Sequence, residues 1–164
     1  MPQYWYHTQE KRNVQLTDPI ICKKDNAWFG KAFYFWFYED DAISWGKNFK
    51  AKTGSFEIYQ AEINSENILD TVFNKEHYLF WVSQVEKVLR YFVKRSIKPT
   101  IKDINDYFIA NKVFKDVEAI MFQDISSKPD FYHIMGFYYK KRIQIAVYTL
   151  KPINNFHFSL ELDA

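Results

Sequence analysis

Three residues in the first third of the chain, His7, Tyr34 and Trp45, have side chains suited to holding a small ligand. Two aromatic faces hold a flat, electron-poor ring well, and a nearby imidazole orients a hydroxyl group by donating or accepting a hydrogen bond. Commoner chemical arrangements are missing. The four histidines, His7, His77, His133 and His157, include no i,i+4 pair and no accompanying carboxylate motif, so their spacing does not point to a metal centre. The four glycines stand isolated at positions 30, 46, 54 and 136, which excludes the Gly-rich phosphate loops of P-loop and Rossmann domains. No Ser or Cys lies in the local signature of a catalytic nucleophile. Each of the three residues also has a plainer reading. His7 fits an ordinary partly buried strand histidine. Tyr34 lies in an aromatic run that a core would use, and Trp45 falls on the apolar face of an amphipathic helix.

The elements that must position these residues follow from periodicity and turn chemistry. Gln3 to His7 and Val14 to Cys22 read as short strands, with Asp18-Pro19 or Lys24-Asp25-Asn26 supplying turns. The aromatic run Phe33 to Tyr38 reads as a buried strand. Asp40 or Asp41 is placed to cap a short helix that buries Ala42, Trp45 and Phe49. Ser55 to Ile63 alternates as a strand. From Lys75 to Lys94, Tyr78, Trp81, Val82, Val85, Val88, Leu89, Phe92 and Val93 define the broad apolar face of a long helix. Thr100 and Asp103 have capping-box spacing and start another helix. Val117 to Phe122, Tyr132 to Tyr139, Ile143 to Leu150 and Phe156 to Leu162 are rich in β-branched and aromatic residues and read as strands. The expected fold class is α+β, dominated by antiparallel sheet.

Composition bounds the remaining possibilities. The 164 residues are 48% hydrophobic, enough for one core, and no repeat or linker divides them, so residues 1–164 are expected to form a single domain. Aromatics make up 20%, with 16 Phe, 12 Tyr and 5 Trp, which requires a core of large flat side chains. A net charge of +2 gives no electrostatic argument for a nucleic-acid partner. No stretch approaches the roughly 20 apolar residues of a membrane span, and Met1 to Glu10 has no apolar signal core, so a cytoplasmic location is expected. Cys22 is the only cysteine, which excludes an internal disulfide and a cysteine-based zinc site.

The segment Gly30-Lys31-Ala32-Phe33-Tyr34-Phe35, leading into the helix with Ala42 and Trp45, resembles the poly(ADP-ribose) polymerase-like branch of the ADP-ribosyltransferases. That pocket has a Gly-Lys-Gly-aliphatic-Tyr-Phe strand, a short loop and an alanine- and aromatic-bearing helix. Small bacterial relatives often place Trp-Leu-Gly before the strand, where this chain has Trp28-Phe29-Gly30. Tyr6-His7-Thr8 is similar to the family's Tyr-His-Gly-Ser/Thr and lacks its glycine. The resemblance implies an ADP-ribosyltransferase-like fold of antiparallel split β-sheets with one long helix and short flanking helices. It also implies NAD as co-substrate, without a metal, bound by His7, Thr8, Tyr34 and Trp45. His7 would meet a ribose hydroxyl, while Tyr34 and Trp45 would flank the nicotinamide. Ala42 stands where relatives have a serine that bonds the carboxamide.

The third position of the family's triad is a glutamate, and Gln144-Ile145-Ala146-Val147-Tyr148 is its best counterpart. A neutral amide positions a ligand but is a poor general base, so the resemblance implies mono-ADP-ribosyl transfer to an unidentified macromolecular or small-molecule acceptor rather than polymer elongation. Gln144 also fits a residue that satisfies a backbone group at a sheet edge. The related proteins include bacterial toxins and phage-defence effectors, for which a cognate antitoxin is a partner. Two other functions fit the same residues: a module that binds NAD or ADP-ribose without transfer, and a structural interaction domain. The basic turn Lys140-Lys141-Arg142 would face a pyrophosphate or an acidic partner, or simply water. Asp124 has no role that its spacing suggests.

Overall fold

Side-chain alternation along the first strand sets the two faces of the sheet, because successive residues of an extended chain point to opposite sides. In the computed structural model, which describes residues 3–64, 66–124 and 141–163, the elements run β1 (Tyr4–Glu10), β2 (Phe33–Trp36), α1 (Glu39–Phe49), β3 (Ser55–Ile63), β4 (Ile68–Asp70), α2 (Lys75–Val93), α3 (Ile101–Ala110), β5 (Ala119–Asp124), β6 (Arg142–Val147) and β7 (Ile153–Asp163). The strand expected over Tyr132 to Tyr139, together with His133 and Lys140, lies outside the described residues.

The class is α+β, and the seven strands among the described residues join one sheet in the order β4-β5-β6-β2-β1-β3-β7. The sheet is dominated by antiparallel pairing, as expected, with two features beyond the sequence reading. β4 and β5 pair parallel, and the two halves stay joined through the single registered pair Tyr6↔Trp36 between β1 and β2. One face carries Trp5, Phe33, Phe35, Ala61, Ile143, Ile145 and Val147, which pack as one cluster. On the other face Trp36, Phe56 and Ile58 receive Ala42 of α1, and Phe29, Ile120, Phe122 and Ala146 form a second patch.

Other boundaries differ from the sequence reading for identifiable reasons. Val14 to Cys22 is not a strand; only Cys22 makes an isolated bridge, to Ala32. Pro19 has no N–H to give a ladder, and neighbouring amides go to side chains instead, Leu16 N to Tyr59 Oη (3.0 Å) and Ile20 N to His7 Nε2 (3.3 Å). Neither Asp40 nor Asp41 caps α1. Tyr38 stands at the capping position without a side-chain capping bond, and the acidic residues occupy the first turn, where the helix dipole favours them. The capping box of Thr100 and Asp103 forms. The eight-residue apolar face expected on α2 is only partly covered. Val88 is buried and Trp81 packs against the Phe29 patch, while Tyr78 and Val93 are exposed. Phe49 is likewise exposed rather than buried. β4 went unrecognised because three residues are too short to show a period. Among the described residues no helix is long and apolar enough to cross a membrane.

The seating of α1 depends on Gly46, which is buried against β3; a Cβ there would overlap the Phe56 ring. Gly46→Ala is therefore expected to lower stability by about 1–3 kcal/mol through overpacking. The measurement is the denaturant midpoint at constant slope, and an unchanged midpoint would show that α1 does not press on Phe56.

Candidate functional site

β1 and β2 part company immediately after Tyr6↔Trp36, and His7 fills the place where the next ladder bonds would form. Its Nδ1 lies 2.9 Å from the Tyr34 carbonyl oxygen. A carbonyl only accepts, so Nδ1 carries the proton and Nε2 presents its lone pair. That lone pair receives Ile20 N–H at 3.3 Å and Gln9 Nε2–H at 3.1 Å. The ring is buried against Phe35, with centroids 5.2 Å apart. Burial above all, with the nearby Lys50 charge adding to it, lowers the imidazole pKa to about 4 against the opposing pull of the Tyr34 bond. His7 is neutral at pH 7, and both of its nitrogens have partners.

Thr8 is buried and donates from Oγ1 to the Ala42 carbonyl at 3.0 Å, which ties β1 to α1. Tyr34 is half-buried. Its hydroxyl donates to the Gly30 carbonyl (2.9 Å) and accepts from Phe29 N–H (3.2 Å), closing the loop before β2. Burial raises its pKa well above the ordinary phenol value. Trp45 is half-buried on α1, its ring 5.7 Å from Trp36 and 4.3 Å from Phe49. Ala42, at the family's serine position, is fully buried in the contact of α1 with Trp36 and Phe56.

Gln144 lies on β6 in register with Trp36 on one side and Phe122 on the other. Its Nε2 donates to Asp124 Oδ2 at 3.4 Å. The same carboxylate oxygen lies 2.8 Å from the Arg142 guanidinium, which sits 4.7 Å over the Trp36 ring. Asp124, Arg142, Gln144 and Trp36 thus form one polar-aromatic group. Such a shielded pair resists disruption more than it adds net stability, and the cation over the indole contributes roughly 0.5–2 kcal/mol. Arg142 belongs to β6 and is bound to Asp124, so it is not part of a free basic turn; Lys141 is exposed.

Register decides which of the expected residues meet. Tyr6, Thr8, Tyr34, Trp36 and Gln144 share the α1 face, and Tyr34 pairs with Ala146, one side-chain step from Gln144. His7 shares the opposite face with Phe35 and Ile145, so it does not converge with Tyr34 and Gln144 on one surface. The pairing of Asp124 with Arg142 escaped the sequence reading because only the antiparallel register of β5 and β6 brings them opposite each other. Among the described residues no group of three His, Cys, Asp or Glu side chains is arranged to hold a metal ion.

The buried neutral imidazole links stability to pH. The unfolded chain protonates this group near its ordinary pKa of 6.5 and the folded chain only near 4. Stability therefore falls as pH drops through that window, by up to about 3 kcal/mol, and levels off below it. Unfolding midpoints of the parent chain and His7→Gln across the window, with the His7 ring resonances followed by NMR, provide the check. Ring resonances that titrate near 6.5 in the folded chain would refute the assignment. Comparisons with protein-family models, curated proteins and solved structures find no match for this chain.

Proposed function

We propose that the chain binds NAD as co-substrate and acts as a mono-ADP-ribosyltransferase, releasing nicotinamide and passing ADP-ribose to a macromolecular or small-molecule acceptor. The observation that carries this reading is the parting of β1 and β2 at His7 and Tyr34, into which the segment Gly30 to Trp45 leads. In this reading NAD entry displaces the Ile20 and Gln9 amides from His7 Nε2, and the freed lone pair accepts a ribose hydroxyl. Tyr34 and Trp45 supply the flanking rings.

Breaking the bond between the nicotinamide nitrogen and the ribose anomeric carbon gives an oxocarbenium-like centre. An acceptor lone pair forms the new bond, and the acceptor's proton passes to solvent. Such a reaction relies on positioning and electrostatics more than on a base. Gln144, a neutral amide, does not take up a proton, which suits the transfer of single units. A cytoplasmic toxin or defence effector restrained by an antitoxin is the setting proposed for this activity.

A second reading, a module that binds NAD or ADP-ribose without transfer, is favoured by one observation. Gln144 lies on the face opposite His7, and its amide is already engaged by Asp124. Nicotinamide release and protein-observed NAD binding separate the two readings. For a transferase, both are measurable, Trp45→Leu weakens binding at least tenfold, and Gln144→Glu increases release. Binding without release by either protein selects the second reading. Failure to bind millimolar NAD overturns both. His7→Ala is a poor probe, since it orphans the Tyr34 carbonyl at a cost of about 1–3 kcal/mol.

A further inference from the structure

Between β1 and β2 the chain passes back over β3 and β1 without joining their ladder. Among the described residues, the backbone-to-backbone bonds of residues 11–22 lie only at the two ends, Lys11 N–H to the Ser55 carbonyl at 3.3 Å and Cys22 N–H to the Ala32 carbonyl at 2.8 Å. The span between them is held by two side chains instead. The Tyr59 hydroxyl accepts from Leu16 N–H at 3.0 Å, and His7 Nε2 accepts from Ile20 N–H at 3.3 Å.

The floor beneath this span is polar. His7 and Gln9 of β1 stand in register with Tyr59 and Glu57 of β3, so the four side chains share one face of two neighbouring strands. All four are buried. Gln9 Nε2 donates to His7 Nε2 at 3.1 Å, and Tyr59 Oη donates to Glu57 Oε2 at 2.6 Å. The Phe156 ring lies beside both pairs, stacked on Tyr59 at 5.0 Å and edge-on to His7 at 6.0 Å. The span itself adds little apolar cover. Pro19 is buried and Leu16 and Ile20 are half-buried, while residues 11–15, 17 and 18 are exposed. Lifting it breaks two hydrogen bonds and few apolar contacts, and it returns water to polar groups that are costly to keep dry. A segment with that balance opens well short of global unfolding.

We infer that residues 12–21 form a strap that opens as one unit between its fixed ends at Lys11 and Cys22, and that the closed strap is an autoinhibitory contact over His7 and Tyr59. Its Leu16 and Ile20 amides occupy the acceptors that a ligand would use. An entrant must therefore bring hydroxyl or N–H donors of its own to replace them, since a ligand without donors leaves Nε2 and Oη unpaired. The opening is independent of the NAD reading; only the ribose of NAD as the entrant rests on it.

Native-state hydrogen exchange of the full chain in low denaturant, read residue by residue by NMR, tests the strap. The Leu16 and Ile20 amides are expected to share one opening equilibrium, about tenfold or more above that of the β3 amides, with a weaker dependence on denaturant because little surface is exposed. Tyr59→Phe removes the acceptor of Leu16 alone. It should nonetheless speed exchange at Ile20 as well as at Leu16, each by about three- to tenfold relative to β3. In the parent chain, exchange of the two amides only together with the β3 amides overturns the inference. So does a variant in which Leu16 speeds up and Ile20 does not. Saturating NAD should speed exchange at Ile20; a strap that opens but does not respond to NAD keeps the gate and removes the ribose of NAD as its entrant.

Discussion

The hydrogen bond from His7 Nδ1 to the Tyr34 carbonyl holds the sheet together where its backbone ladder gives out. β1 is continuous with β3 over seven registered pairs, yet it meets β2 through one. Without the imidazole, a main-chain acceptor would sit at the parting without a partner, at a cost of about 1–3 kcal/mol. Other links converge on the same place. Thr8 anchors α1, Ile20 closes over Nε2, and Gln9 relays to Lys50. The parting is thus a braced junction rather than a frayed edge.

What was legible in the sequence was the part governed by local periodicity. β3 appears with the expected bounds, α2 within one residue of them, and the α3 capping box forms as its spacing implied. The segment Val14 to Cys22 looked strand-like by composition but lacked an open ladder to join, and its amides found side chains instead. The site was harder to read for a related reason. His7, Tyr34 and Gln144 were each on the elements expected, but which face each one presents depends on inter-strand register, and one residue of phase separates His7 from Thr8. Asp124 and Arg142 carry no local signal at all; their meeting is a property of the antiparallel register of β5 and β6.

The abundance of aromatic residues is resolved by the sheet. Rings interlock across strands and layers, as in Phe29 against Phe122 at 4.2 Å and Tyr59 stacked on Phe156 at 5.0 Å, which fills a broad core with few side chains. Charge is sorted as sharply as apolar surface. Arg142 is neutralised by Asp124 and shielded by Trp36, whereas its neighbour Lys141 is exposed. The near-neutral total charge conceals this division.

Strand order also governs what happens while the chain is being made. β2 ends at Trp36, but its partner β6 begins only at Arg142. At translation rates of roughly 5–20 residues per second, the outer edge of β2 waits about 5–20 s for that strand to emerge. During this interval Phe33-Tyr34-Phe35-Trp36 is an open, uncharged aromatic edge, the kind of segment that pairs readily with another chain. Closure of the central ladder is therefore a late, long-range event, slow for the reason that loop closure precedes its reward. The nascent protein depends on protection of this one tetrapeptide until its distant partner arrives.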